Sequence, residues 1–419
     1  MARRVAAKYR PRRFIVLGAV ATVAALGFIG IWGVGHVAED SADDPVGGAG
    51  IGADSNVDPA RSPESQDAGS SVEPERSPEP VEAPAAEPIR LDVSVSGDIL
   101  IHSPLYRRAL ANGGDKYDFR PMFRQIEPVV RGADLSICHL ETPLTDGEPT
   151  SFPIFATPAP LADAIAATGW DACTTASNHS VDGGLAGIRA TSRALNRAGL
   201  AHTGSAATRR QSRHPLLLKA RGTTVALLSY TTFTNGIPLP EPWAVNLAAP
   251  ERILADARRA RRAGAEAVVV NIHWGDEDSS QINAEQLGVA KALTKARAVT
   301  ALVGQGPHVV QPIRRVNGSR VVFSEGNLLS NQTPACCASG SQDGLIALLR
   351  IVIDESGDRL KRVRYVPTWV RHPDFAVLPV GSAARRGEAD LAVLRGSYER
   401  TVAVAGRSGS VEPVPKRAP

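Results

Sequence analysis

From residue 90 onward, short apolar runs alternate with amphipathic stretches. The runs 91–97, 133–141, 171–177, 223–230, 265–273, 299–305, 319–326 and 344–354 are rich in Val, Ile, Leu and Ala. Most are bounded by Gly, Pro, Asn, Asp or Ser, so each reads as a strand. Helical spacing of apolar residues predicts helices over 121–131, 159–168, 184–198, 250–263 and 283–296. "PERILADARRARRAG" opens with Pro and closes at Gly, as helices often do. The alternation predicts an α/β fold with parallel strands. Later strands are less often separated by helices, which predicts a second, mixed sheet.

Upstream the pattern changes. Residues 14–35, "FIVLGAVATVAALGFIGIWGVG", are uncharged and long enough to span a bilayer core. Six bases and no acid precede them, which predicts a cytoplasmic N-terminus. Residues 39–89 hold 13 acids against two bases and almost no large apolar side chains. Such a stretch cannot bury enough surface to offset its ordering entropy. The expected organisation is a basic cytoplasmic tail (1–13), a transmembrane signal anchor (14–38), a disordered Pro/Glu-rich linker (39–89), one folded domain (90–400) and a flexible tail (401–419). Cleavage near residues 36–38 is the alternative to a retained anchor. Either way the folded domain is expected outside the cytoplasm, at the cell membrane. That placement permits disulfides among Cys138, Cys173, Cys336 and Cys337, and the spacing leaves all pairings open.

Charge sharpens the picture only a little. The net charge is +4, but the chain from residue 90 on carries 39 bases and 30 acids. No zinc finger or RNA-binding motif accompanies this excess, so no nucleic-acid partner is expected. A basic domain suits an anionic polymer or membrane face. A solvated basic surface explains the balance equally simply.

Candidate chemistry lies in where the polar residues fall. Ligand-capable side chains stand where apolar strands end: Asp98, then His102; His139 and Glu141; Asn178, His179 and Asp182; His273, then Asp276, Glu277 and Asp278; His308; Glu325 and Asn327. In an open α/β sheet the C-terminal strand ends share one edge, and sites form there. A mix of carboxylate, imidazole and amide donors suits Mn, Fe or Zn. Each piece also has a plain structural reading. Asp98 can cap a turn, and Ser177, Asn178 or Asp182 can cap the helix starting near Gly184. His273 can be a core histidine beside Trp274, and 276–278 a solvated acidic loop. His36, His202, His214 and His372 read as structural or surface. No GxSxG, P-loop or GxGxxG is present.

In order, these pieces resemble the CapA family, the bacterial poly-γ-glutamate capsule-synthesis proteins. The residues that carry the resemblance are Gly97-Asp98, Leu140-Glu141, Asn178-His179 with Asp182, His273-Trp274-Gly275 with Glu277, Pro307-His308 with Gln311, and Ser324 with Gly326-Asn327. It covers about residues 91–370. It implies a metallophosphoesterase-like sandwich of two mixed β-sheets flanked by helices, and the N-terminal transmembrane helix and disordered stalk expected above fit it. It also implies one or two divalent metals, Mn, Fe or Zn, held by Asp98, His102, Glu141, Asn178, His273 and His308. His179 would be the general acid and Asp182 its orienting partner. The implied function is capsule or other envelope-polymer biosynthesis by metal-dependent hydrolysis of a phosphoester or amide. The implied partners are an anionic polymer such as poly-γ-glutamate, the membrane and other capsule-synthesis membrane proteins. Two positions depart from the pattern. His139 stands where the family has asparagine, and Gly306, preceded by Gln305, stands where it commonly has another histidine. The second departure opens the alternative of a non-catalytic polymer-binding or assembly factor with a degraded metal site.

Overall fold

A computed structural model describes residues 87–419. The expected basic tail, signal anchor and nearly all of the linker lie outside the described residues. Among the described residues no helix is long and apolar enough to cross a membrane.

Two mixed sheets pack face to face. The first holds β1 (Ile89–Ile99), β2 (Leu135–Leu140), β5 (Ala172–Thr174), β6 (Ala201–Thr203), β13 (Asn327–Leu329), β14 (Asp343–Asp354), β15 (Gly357–Arg371), β16 (Ala376–Pro379) and β17 (Val411–Pro413). Its order is β16-β15-β14-β1-β2-β5-β6, with β13 on β1 and β17 on β15. The second holds β7 (Leu216–Ala220), β8 (Thr223–Thr231), β9 (Ala267–His273), β10 (Ala301–Gln305), β11 (Ile313–Val316) and β12 (Ser319–Val322). Its order is β11-β12-β10-β9-β8-β7. A short ribbon pairs β3 (Leu144–Thr145) with β4 (Thr157–Pro158). Each sheet has a parallel block: β1, β2, β5 and β6 in one, and β8, β9, β10 and β12 in the other.

Two-residue periodicity explains the layering. Leu91, Val93 and Val95 of β1 face Val225 and Leu227 of β8, Val269 of β9 and Val303 of β10 in the central core. The alternate residues Ala226, Leu228 and Tyr230 of β8 and Val268, Val270 and Ile272 of β9 face outward. There they meet α7 (Pro250–Arg262) through Ile253 and Ala257, and α8 (Ala284–Thr294) through Val289 and Leu293. The first sheet is covered by α1 (Ser103–Gly113), α2 (Arg120–Phe123), α3 (Glu127–Val130), α4 (Pro160–Thr168) and α5 (Gly184–Arg197). α6 (Arg209–Ser212) is a single turn, while α9 (Val380–Arg386) and α10 (Leu391–Ala405) pack beside the β15–β16 pair. A fully buried Val or Leu in such a layer contributes about 1.5–3 kcal/mol.

Several expectations change. The helix expected over 121–131 is two single turns, α2 and α3, each with a Pro in its first turn. Pro128 brings no N–H to a continuing helix, so the segment restarts there. The strand expected over 319–326 ends early: β12 stops at Val322 in the second sheet, and Ser324–Gly326 then cross to β13 in the first. The C-terminal stretch 401–419 is not a free tail. Residues 401–405 finish α10, Val411 is buried, and β17 runs parallel to β15, because "VEP" offers a short extended segment to its edge. The long hairpin β14–β15 was visible only in its first strand, since β15 begins with the charged run "GDRLKRVR".

Cys138 and Cys173 are cross-strand neighbours on β2 and β5 and form a disulfide, fully buried under the helices of the first sheet. Cys336 and Cys337 are free thiols. The bridge closes a 35-residue separation. Replacing both cysteines by alanine should cost about 2–4 kcal/mol of unfolding free energy in denaturant titration. An unchanged midpoint would show that the bridge contributes nothing.

Candidate metal centre

The two parallel blocks end on the same side of the sandwich. Asp98 is next to last in β1, and His139 and Glu141 stand at and just past the end of β2. The turn after β5 brings Asn178, His179 and Asp182. From the second sheet come His273, the last residue of β9, and His308, in the turn after β10. The sheets meet at two imidazoles: His139 Nε2 lies 3.1 Å from His273 Nδ1.

Glycines allow this approach. A Cβ on Gly97 would lie 1.9 Å from the Gly326 carbonyl oxygen, which accepts a 3.0 Å hydrogen bond from Asp98 N–H. Gly306 has φ +109°, and a Cβ there would lie 2.9 Å from the Trp274 carbonyl oxygen and 3.2 Å from the His273 ring. His308, two residues on, has φ +59°, a conformation costly for a residue with a side chain.

Two triads emerge. Asp98, His139 and His273 form one, and Asp98, Glu141 and His308 the other. Within each, one ligand atom per residue lies within 4.8 Å of the others, and all five residues are buried. Asp98 belongs to both. Its Oδ2 accepts from His308 Nδ1 at 3.1 Å and Gly306 N–H at 3.3 Å. Thr174 Oγ1 holds His139 Nδ1 at 2.9 Å. Asp98 Oδ1, both Glu141 oxygens, Asn178 Oδ1 and His273 Nε2 are buried with no hydrogen-bond partner among the described residues. Buried polar atoms are rarely left so, because each costs on the order of 1–3 kcal/mol. Oxygen and imidazole lone pairs gathered together are satisfied by a divalent cation such as Mn, Fe or Zn. The residues fit the metal that the sequence implied.

Electrostatics agree. Burial alone would depress His308, but the Glu141 charge and the Asp98 hydrogen bond outweigh it and raise its pKa to about 10. The Asp98 carboxyl, despite full burial, is held below its ordinary range by His308, with His139 and His273 adding to the effect. Burial pushes Glu141 well up. Burial likewise drives His139 down to about 4 and His273 well below the usual histidine range, so both offer neutral rings. The cleft therefore calls for positive charge between Asp98 and Glu141, and it has neutral imidazoles beside them.

Asp98, Glu141, His273 and His308 thus converge as expected. Asn178 points its unpartnered oxygen into buried space, while its Nδ2 donates to Glu277 Oε1 at 3.4 Å. His102 precedes α1, outside both triads, with its ring edge-on to Phe155 at 5.3 Å. Burial and the His308 charge lower its pKa to about 4. Asp182 is not a helix cap, since α5 begins without a side-chain cap at Gly183. Its Oδ2 instead holds His179 Nδ1 at 2.8 Å and accepts from Phe155 N–H at 2.8 Å. Asp276 and Asp278 are exposed, as a solvated loop should be.

His139 was missing from the expected ligand set. Its signal, a polar residue at a strand end, is present in "SICHLE", where a histidine in place of the family's asparagine can still be a ligand or a hydrogen-bond donor. It changes the meaning of Gly306. No imidazole fits at 306, yet His139 keeps the count at three with His273 and His308. Gln305 Nε2 donates to Glu325 Oε2 at 2.7 Å, while its Oε1 is buried with no hydrogen-bond partner among the described residues. Phe155, edge-on to the His179 ring at 4.6 Å, had no sequence signal.

A sequence model of the family described as bacterial capsule synthesis protein PGA_cap matches residues 92–332. The chain is similar to the PGA biosynthesis protein CapA of Bacillus subtilis, 25% identical over 248 residues, which are 58% of this chain and 64% of that protein. It is also similar to the capsule biosynthesis protein CapA of Bacillus anthracis, 24% identical over 254 residues, 58% of this chain and 60% of that protein. The matches thus span less than two thirds of these relatives' own lengths. Among solved structures, the calcineurin-like phosphoesterase YfkN of Bacillus subtilis overlaps 76% of this chain and 99% of its own, with 12% identity and a TM-score of 0.43.

The shared carboxylate makes a direct prediction. Protein purified with Mn or Zn should retain metal by elemental analysis, and Asp98→Asn should lose all of it. His139→Ala should lose metal as fully as His273→Ala does. Full retention in His139→Ala would remove it from the ligand set.

Proposed function

The chain belongs to the PGA_cap family of bacterial capsule synthesis proteins, and from that premise we propose a metal-dependent hydrolase acting on an anionic envelope polymer such as poly-γ-glutamate. The bond would be a phosphoester or amide, and the fold is read as metallophosphoesterase-like. The single observation that carries the reading is the set of five buried, unpartnered acceptor atoms beside the His179–Asp182 pair.

The chain's own groups divide the work. Asp98, His139, Glu141, Asn178, His273 and His308 would hold the metal. Bound there, a divalent cation supplies Lewis acidity toward a reacting oxygen and acidifies water. Asp182 accepts the Nδ1 proton of His179, which fixes the ring and leaves Nε2 to exchange a proton with a leaving oxygen. Phe155 packs against that ring and ties its own N–H to Asp182, so the pair cannot turn away together. Glu277 stands exposed beside Asn178, where it can select against a second negative charge near the ligands.

The proposed setting is the outer face of the membrane. Its support is the uncharged run 14–35 between a basic tail and an acidic linker, with other capsule-synthesis membrane proteins as partners. A second reading, a polymer-binding or assembly factor, is favoured by one observation: Gly306 has no room for the histidine common in the family.

Hydrolysis of a generic phosphodiester with added Mn separates the two. Wild type should turn over, and His179→Ala should lower kcat by about 10²–10⁴ while metal content and melting temperature stay unchanged. Equal turnover in His179→Ala would end its acid role. No turnover by metal-loaded wild type, on phosphodiester or amide, would favour the binding factor.

A further inference from the structure

Away from the metal centre, the edge strands of the two sheets, β6 and β7, leave a cavity of about 460 Å³ beneath α6. It adjoins a surface groove of about 550 Å³, sharing Ser212, Asp256 and Arg259 with it. None of the candidate metal ligands lines either space. Ser205, in the cavity wall, bonds Thr175 Oγ1 at 2.9 Å, and that threonine begins the turn leading to Asn178.

Charge in these spaces is one-sided. Arg210, Arg213, Arg252 and Arg259 line them against a single carboxylate, Asp256. That carboxylate is already engaged, by Arg259 Nη1 at 2.9 Å, the Tyr230 hydroxyl at 3.0 Å and Arg252 Nε at 3.8 Å. Arg252 donates to the Asn246 side chain at 2.9 Å. Arg210 and Arg213 are exposed and have no carboxylate within ion-pair distance among the described residues. Their positions are nonetheless fixed. Thr208 caps α6 by accepting from Gln211 N–H, and the Gln211 side chain accepts from Ala207 N–H at 2.8 Å. Like charges are not gathered on an anchored turn without cost, and an anionic ligand offsets it.

Size and chemistry narrow the ligand. Two joined spaces of this volume take several successive anionic groups rather than one ion. An exposed guanidinium fork pairs with carboxylate or phosphate, and the polymer of the proposed function carries carboxylates. We propose that this cavity and groove bind a run of successive carboxylates of an acidic polymer, at a site separate from the metal centre. The inference rests on the reading of the chain as a handler of anionic polymer, and it assigns that polymer a place to be gripped.

Binding of fluorescent oligoglutamate to the full-length chain tests it, with polyphosphate of equal charge as a second probe. Wild type should bind oligoglutamate in preference to polyphosphate, and more weakly as salt rises. Arg210→Glu/Arg213→Glu should bind about tenfold more weakly or worse. Its phosphodiester turnover should equal that of wild type, and Asp98→Asn should bind oligoglutamate as wild type does. Both arginines are exposed, so folding is not at issue, and Arg210→Gln/Arg213→Gln should give an intermediate loss. Wild-type affinity in the charge-reversal variant would overturn the proposal, as would absence of binding or preference for polyphosphate. Loss confined to Asp98→Asn would place the polymer on the metal centre instead. Turnover is read independently, so failure here with turnover intact leaves the hydrolase reading standing.

Discussion

A carboxylate with no solvent exposure must be neutralised by its surroundings, and in this protein that carboxylate is Asp98. Isolating such a charge from water costs several kcal/mol even after relaxation, on the order of the whole stability of a domain. The chain meets that cost from both sheets at once. Gly306 N–H and the His308 ring approach Oδ2 from the second sheet, while His139 stands 3.8 Å from Oδ1 on the first. Removing the His308 ring would leave the buried Asp98 charge without its main partner. The two sheets are therefore joined at their C-terminal edge by electrostatics as well as by apolar packing.

Close backbone contact makes that junction possible. Gly97 and Gly304 lie where a side chain would collide with the crossing segment or with Trp274, and Gly326 where one would meet the backbone of Asp343 and Val310. Trp274 is fully buried, donates its indole N–H to the Phe323 carbonyl at 2.8 Å and stacks on the Phe323 ring. It thereby sets the position of His273 immediately before it. The crossing from β12 to β13 then brings Glu325 behind Asp98. Burial raises Glu325 to about 8, against the opposing hydrogen bonds of Gln305 and Ala347. Gln305, the last residue of β10, braces Glu325 through its own Nε2 hydrogen bond.

On the proposed reading, the basic edge and the metal centre would divide two tasks, the holding of an anionic polymer and the chemistry on it. Chemistry needs a dry, rigid pocket where each charge has a fixed partner. Holding a long anionic chain needs exposed cations that exchange readily with salt. The first would sit at strand ends inside the sandwich, and the second on a one-turn helix and α7 at its edge. Position in the fold, more than residue type, decides which role an arginine or histidine takes.

Much of this was legible in the chain itself. Apolar alternation located the central strands and the helices α4, α5, α7 and α8, because those segments have a periodic face to bury. The strand-end polar residues Asp98, Glu141, His273 and His308 were legible too, since nothing in a strand's own pattern requires them. The charged strand β15, the C-terminal β17 and the crossing of the chain between sheets after Val322 were not. Their conformations are decided by an edge or a partner far away in sequence. The same holds for the pairing of Cys138 with Cys173, for His139 as a third imidazole and for Phe155 against His179. The sequence by itself determined which residue types end the strands and so what chemistry is possible. Only the tertiary structure decided which of them share one charge balance, because that depends on two sheets meeting at glycines.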